Sequence, residues 1–282
     1  MGIARVGILG SGIMGSGIAE VAAKSGMDVV LRSRHKATAE ATVAGLEASL
    51  AKQVAKGKID ETAAKEVLSR VTATDRLHAL ADCDLVIESV VEDLAVKQEL
   101  FRELSDVCRD DAILASNTST LPVVELATQV TPPERVCGIH FFNPAPMMSL
   151  VEVIRPLTAS DETIAAAKAF ATACGKTTVE VKDRAGFIVN ALLFPYLNNA
   201  ARMLEQGTAS ADDIDAAMKG GCNFPMGPLA LLDLVGLDTS LAILDALYAE
   251  FRDPNYAAVP SIRRMVAAGQ LGRKSGQGFF AY

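Results

Sequence analysis

The chain has 282 residues, of which half are hydrophobic and 22% charged, and its formal net charge is −7. A length of this order predicts about two domains, each able to bury its own core, and the composition excludes a disordered chain. The acidic balance argues against a general nucleic-acid or anionic-membrane binder.

Reactive side chains are scarce: three His, five Cys and no Trp. Cys83, Cys108, Cys137, Cys174 and Cys222 are odd in number and widely spaced, with no Cys-x-x-Cys pair. Neither a disulfide framework nor a metal site is therefore predicted, and the thiols are expected to be small buried groups. No apolar run reaches the ~18–20 residues needed to cross a bilayer. The first residues carry no signal-peptide core, so a cytoplasmic protein without membrane or nucleic-acid partners is expected.

Residues 5–10 read as a buried strand and 13–25 as a helix stopped by Gly26. A second strand at 28–31 precedes a long charged helical stretch to about Lys56. Short apolar strands at 84–90 and 112–116 flank a helix at 94–108. Strands at 136–140 and 151–155, a helix at 161–174 and an extended segment at 177–181 continue the series. This alternation predicts parallel pairing through right-handed crossovers, hence an α/β, Rossmann-type doubly wound sheet. After Lys182-Asp183-Arg184 the pattern changes to a long apolar helix at 186–207 and further helix from Asp212-Asp213. The expected organisation is an α/β domain over 1–184 and a smaller all-helical domain over 185–282.

Gly10-Ser11-Gly12-Ile13-Met14-Gly15 fits G-x-G-x-x-G between a strand and a helix. Gly10 suits the tight turn, Gly12 the close approach of a pyrophosphate, and Gly15 the contact of helix with strand. The pyrophosphate then sits on unsatisfied N–H groups at the positive helix end. An acidic residue about 20 positions later normally holds the adenosine ribose. Here the second strand ends in Arg32-Ser33-Arg34 instead. A hydroxyl beside a guanidinium can bind a 2′-phosphate that a carboxylate would repel. The sequence thus leans toward NADP(H), with NAD(H) left open if both arginines are simply solvated. Residues 32–58 hold six basic and two acidic side chains. In that window Ser49 and Lys56 lie two helical turns apart, on one face, where they either are solvated or meet a phosphorylated ligand.

Of the three histidines, only His140 ends an apolar strand, the place where ligands sit in a doubly wound sheet. Glu152 lies within the apolar run Leu150-Val151-Glu152-Val153-Ile154, where a carboxylate is costly unless paired, and His140 is a suitable partner. Ser116-Asn117-Thr118-Ser119 follows another strand, and its small polar groups suit either ligand positioning or a plain turn. Asn190 is a polar residue in an apolar helix and needs a partner.

Taken in order, the glycine turn with Ser16-Gly17-Ile18-Ala19, Ser116-Asn117-Thr118-Ser119, His140-Phe141-Phe142-Asn143-Pro144, Leu150-Val151-Glu152-Val153-Ile154 and Gly186-Phe187-Ile188-Val189-Asn190 form a set. Asn223-Phe224-Pro225-Met226-Gly227-Pro228 and Gly272-Arg273-Lys274-Ser275-Gly276-Gln277-Gly278-Phe279 complete it. Together they resemble the 3-hydroxyacyl-CoA dehydrogenases of the short single-chain, 3-hydroxybutyryl-CoA type, over essentially the whole chain. The resemblance implies reversible oxidation of a (3S)-3-hydroxyacyl-CoA, with His140 as catalytic base, Glu152 orienting it, and Ser119 and Asn190 completing the substrate site. It implies cofactor contacts at Gly10, Gly12, Ile13, Met14 and Gly15, and nicotinamide-end contacts at Glu92, Lys97, Ser119, Asn143 and Lys274. It implies CoA contacts at Ser49, Lys56 and Ser119, and a homodimer through the helical domain. Ser33 occupies the position of the family's ribose-binding Asp, so here the residues and the family's usual NAD point different ways. A β-hydroxyacid or sugar-acid dehydrogenase on the same two-domain plan, or a non-catalytic NADP-binding regulator, remain the alternatives at this point.

Overall fold

A computed structural model describes residues 2–282. The chain divides into two compact units, Met1–Asp183 and Arg184–Tyr282. The division falls one residue before the expected boundary for a local reason. The Asp183 carboxylate accepts the amides of Val123 and Val124, which ties it to the first unit. The Arg184 guanidinium lies 4.9 Å from the centre of the Phe251 ring, in the second.

The first unit contains, in chain order, β1 (Arg5–Leu9), α1 (Ile13–Lys24), β2 (Asp28–Arg32), α2 (Lys36–Ala55), α3 (Glu61–Ser69), β3 (Val71–Thr74), β4 (Leu85–Glu88), α4 (Leu94–Val107), β5 (Ile113–Ser116), α5 (Val123–Ala127), β6 (Val136–Phe141), β7 (Leu150–Arg155), α6 (Asp161–Ala173) and β8 (Thr177–Lys182). All eight strands join one sheet in the order β3-β2-β1-β4-β5-β6-β7-β8. The central strands β4, β5 and β6 are buried along their whole length. That is why they read as continuous apolar runs rather than alternating ones. The outermost strand β8 has no fully buried residue. Strands β2 and β4 both pair parallel to β1, so the strand order reverses there and opens a crevice at the carboxyl ends.

Two features correct the sequence reading. Helix α3 and edge strand β3 lie in a stretch for which the sequence reading names no element, and β3 is only four residues long and mostly half-exposed. The second correction concerns pairing: β6 and β7 are antiparallel. Only residues 142–149 join them, fewer than the dozen or more that a parallel crossover needs. The antiparallel return sets His140 directly opposite Glu152.

The second unit is helical: α7 (Val189–Glu205), α8 (Ala211–Cys222), α9 (Pro228–Val235), α10 (Leu237–Phe251) and α11 (Pro260–Ala267). Leu197, Leu229, Leu232, Leu237, Leu244, Leu247 and Ile262 form its buried centre. Two buried carboxylates organise the ends of these elements. Asp215 accepts the Leu229 and Ala230 amides at the start of α9, and Asp233 accepts the Phe279 and Phe280 amides of the tail. A Cβ on Gly227 would lie 2.1 Å from the Asp215 carboxyl carbon, and one on Gly278 would lie 2.0 Å from an Asp233 oxygen. The glycines of both C-terminal motifs are there to let backbone reach a buried carboxylate. No helix among the described residues is long and apolar enough to cross a membrane.

Candidate active site

The crevice at the carboxyl ends of β1, β4, β5 and β6 gathers most of the singled-out residues of the first unit. Gly10 has φ +113°, and a Cβ there would sit 2.1 Å from the Ser89 carbonyl oxygen. Only glycine fits both the turn and that approach. A Cβ on Gly15 would come within 2.0 Å of the Gly10 carbonyl oxygen, while one on Gly12 meets nothing within 4 Å. The turn is thus closed on the protein side and open beyond Gly12. There the first amides of α1, a helix with no side-chain cap, are unoccupied by any intrahelical carbonyl. This is a fit for a dinucleotide pyrophosphate.

A cleft of about 1040 Å³ opens from this turn along the tip of β2. Ser33, Arg34, His35, Val91, Val96, Glu99 and Glu103 are among the residues that line it. The Ser11 hydroxyl donates to the Ser33 oxygen at 3.0 Å, joining the glycine turn to the β2 tip. The Arg32 guanidinium turns away to the Asp75 carbonyl, 3.3 Å distant. Arg34 is exposed and enters none of the ion pairs among the described residues. In α2, Ser49 accepts from the Gln53 amide at 3.3 Å, and Lys56 is the exposed C-terminal cap.

His140 and Glu152 form the centre of the site. The imidazole Nδ1 lies 2.8 Å from Glu152 Oε2, and both side chains are almost wholly enclosed. An ionised Glu152 can only accept, so it fixes the neutral ring with the proton on Nδ1 and the lone pair on Nε2. That lone pair faces Ser119, whose hydroxyl is 3.1 Å from Nε2. Phe142 packs obliquely on the imidazole at 4.6 Å between ring centres. The Asn117 side chain accepts the Phe141 amide at 2.8 Å and so locks β6 to the loop that carries Ser119.

Glu92 draws the same loop in from the other side. Its carboxylate accepts from the Thr118 hydroxyl at 2.5 Å and from the Ser119 and Thr120 amides at 3.0 and 3.3 Å. Burial raises its pKa, but the Lys97 ammonium and these donors outweigh that and hold it below the ordinary glutamate value. Lys97 has a side-chain exposure of 1% and lies between Glu88 and Glu92. Asn143 follows β6 at the surface. The Lys176 ammonium braces the loop after β6 through the Ala145 and Met148 carbonyls, both at 2.7 Å. Asn190 and Lys274 belong to the second unit: Asn190 is buried in the first turn of α7, and Lys274 pairs with Asp238 at the start of α10.

Sequence reasoning passed over Glu88, Asn117 as a loop lock, and Lys176. Glu88 was hidden in an apolar strand. The only available signal was the one that exposed Glu152, a carboxylate where burial demands partners. The cysteines stay outside this chemistry. Burial pushes the Cys83, Cys108 and Cys174 thiols up to about 11 and Cys137 to about 12. Cys222, expected to be buried, is exposed at the end of α8. No group of three or more potential metal ligands occurs among the described residues.

Residues 5–184 match the family model described as 3-hydroxyacyl-CoA dehydrogenase, NAD binding domain, and residues 186–282 match its C-terminal domain. The chain is 48% identical to a 3-hydroxybutyryl-CoA dehydrogenase of Mycobacterium tuberculosis over 282 residues, 99% of each chain. It is 45% identical to one of Clostridioides difficile over 278 residues, again 99% of each. Among solved structures it is similar to M. tuberculosis FadB2, with a TM-score of 0.98 and 48% identity over all of both chains. The (S)-3-hydroxybutyryl-CoA dehydrogenase PaaH1 of Ralstonia eutropha follows, with a TM-score of 0.96 and 42% identity over 99% of each.

Proposed function

This chain belongs to the 3-hydroxyacyl-CoA dehydrogenase family, and on that premise we propose that it interconverts (3S)-3-hydroxybutyryl-CoA and acetoacetyl-CoA with NADP(H) as preferred dinucleotide. The observation that carries the catalytic part is the hydrogen-bonded line Ser119–His140–Glu152 at the carboxyl ends of the strands. A nicotinamide dinucleotide held in the cleft supplies the hydride acceptor or donor for C3. His140 Nε2 takes the C3 hydroxyl proton during oxidation and returns it during reduction. Glu152 holds the Nδ1 proton, so that the neutral ring presents its lone pair at Nε2, and stabilises the imidazolium that forms, the same logic as a carboxylate–His pair in hydrolases. The Ser119 hydroxyl, already beside Nε2, orients the reacting oxygen.

The Gly12, Ile13 and Met14 amides would hold the pyrophosphate, and Ser33 and Arg34 a 2′-phosphate. Unpaired Arg34 and the neutral Ser11–Ser33 contact support the NADP(H) preference. Glu92, Lys97, Asn143 and Lys274 are placed at the nicotinamide end by family resemblance. Half-buried Ser49 of α2 and exposed Lys56 at its C-terminal cap are assigned to the CoA phosphates on the same ground, and Asn190 to the substrate. Reduction of acetoacetyl-CoA with NADPH and NADH side by side tests the whole reading. Activity on free 3-hydroxy acids but not on thioesters would overturn the substrate assignment, and equal rates with both dinucleotides the cofactor assignment.

We also propose that two copies associate through the helical unit. Leu192 is 72% and Met203 44% exposed. They lie eleven residues apart on α7, about 20° off a common face. Exposed apolar side chains near one face of α7 could be covered by a second copy. Leu192→Glu is expected to shift the mass measured by sedimentation from dimer to monomer; a wild-type protein that sediments as a monomer refutes the assignment.

A further inference from the structure

The least expected cluster in the molecule is a set of charges with almost no access to water. Glu88 ends the central strand β4 and is fully enclosed. Its Oε1 accepts from the Lys97 ammonium at 2.7 Å and from the Val90 amide at 2.6 Å, and its Oε2 accepts from the Ser116 hydroxyl at 2.7 Å. Every donor around it is supplied by the chain, so the carboxylate is satisfied without solvent. Lys97 then reaches Glu92 at 3.2 Å, so one ammonium serves two carboxylates.

From Glu88 two lines lead to the same loop. One runs through the Ser116 oxygen, which accepts the Thr118 amide at 3.2 Å. The other runs through Lys97 to Glu92, whose carboxylate accepts the Ser119 and Thr120 amides. The first ends at Thr118 and the second at Ser119, whose hydroxyl lies 3.1 Å from His140 Nε2. A buried ion pair is seldom more stabilising than apolar side chains of the same volume, whereas it fixes geometry through directional bonds. The Lys97 side chain is buried and holds both carboxylates at once.

We propose that Glu88 is a positioning residue: with Lys97 it braces Glu92 as a clamp on the Ser119 and Thr120 amides, and so sets the Ser119 hydroxyl against His140. The proposal rests on His140 and Ser119 being the reacting pair.

Three variants test it: Glu88→Gln, the charge-balanced Glu88→Gln/Lys97→Met, and Glu92→Gln, whose side chain is partly exposed and so least able to disturb folding. Each is compared with wild type by kcat and KM for acetoacetyl-CoA, NADH affinity by fluorescence, thermal midpoint, and amide hydrogen exchange over residues 117–121. Glu88→Gln and Glu92→Gln are expected to lower kcat about 10- to 100-fold, the scale of a displaced reacting group. KM should stay within about 3-fold in both, as should NADH affinity in Glu88→Gln, and exchange of the Ser119 and Thr120 amides should accelerate. The double variant, with no orphaned ammonium left, should regain the thermal midpoint lost by Glu88→Gln but not its kcat. Wild-type kcat in the double variant, or unchanged exchange at Ser119 and Thr120 in Glu92→Gln, overturns the proposal. If Glu88→Gln does not fold, those two variants decide alone. Full activity in His140→Ala would instead remove the premise, and the exchange result would still report on the clamp.

Discussion

His140→Ala is expected to lower kcat for acetoacetyl-CoA reduction by about 10²- to 10⁴-fold, the range of a single general acid–base group, while NADPH and NADH affinities stay near wild type. The two effects separate because the glycine turn follows β1 and the tip ends β2, whereas His140 stands on β6. Its partners among the described contacts are Glu152 and Ser119. Steady-state rates and a dinucleotide fluorescence titration measure both quantities in one preparation. A variant retaining more than a tenth of wild-type turnover would show that another group moves the proton. Thermal unfolding guards the interpretation, since removal of the ring takes one hydrogen-bond partner from the buried Glu152.

Ser33→Asp carries the second large effect. The substitution places a carboxylate beside Ser11 and Arg34, where a 2′-phosphate would lie and where the family ordinarily keeps its ribose-binding acid. Like charges in contact cost several kcal/mol, and about 2.8 kcal/mol is a hundredfold in affinity. The ratio of kcat/KM for NADPH to that for NADH should therefore fall by about 100-fold, with kcat at saturating NADH little changed. A ratio that does not move would mean that the β2 tip does not read the 2′ position. Arg34→Ala should weaken NADPH selectively and leave NADH alone, which distinguishes phosphate recognition from general loss of the cleft.

Much of this site was legible in advance because its signals are local. Gly10, Gly12 and Gly15 sit in a turn that short-range sterics dictate, and the structure shows a positive φ at Gly10, open space beside Gly12 and a close turn carbonyl beside Gly15. His140 stood out because an imidazole at the end of an apolar run has few roles, and Glu152 because a carboxylate in such a run must be paired. Their pairing was inferred from chemistry; the register that achieves it was not. It depends on β7 turning back antiparallel beside β6, contrary to the all-parallel expectation.

What stayed hidden was hidden for a common reason. Glu88 and Lys97 are nine residues apart, and neither signals burial by its own type; only the packing of α4 against the sheet encloses them. Lys176 is distant in sequence from the loop it braces. Short edge elements such as β3 carry too few apolar residues to show a period.

By itself, then, the amino-acid sequence determined the class of this protein: a doubly wound nucleotide-binding unit followed by helices, a glycine turn, and one His–Glu pair in an otherwise unreactive chain. These follow from backbone sterics, hydrophobic periodicity and the cost of burying charge, all of which act over a few residues. Tertiary structure alone decided the antiparallel return that sets His140 against Glu152, and the enclosure of Glu88 and Lys97. It also decided the convergence of Glu92, Ser116 and Asn117 on the Ser119 loop. Those contacts join residues far apart in the chain, and their geometry exists only once the sheet has closed water out from between them.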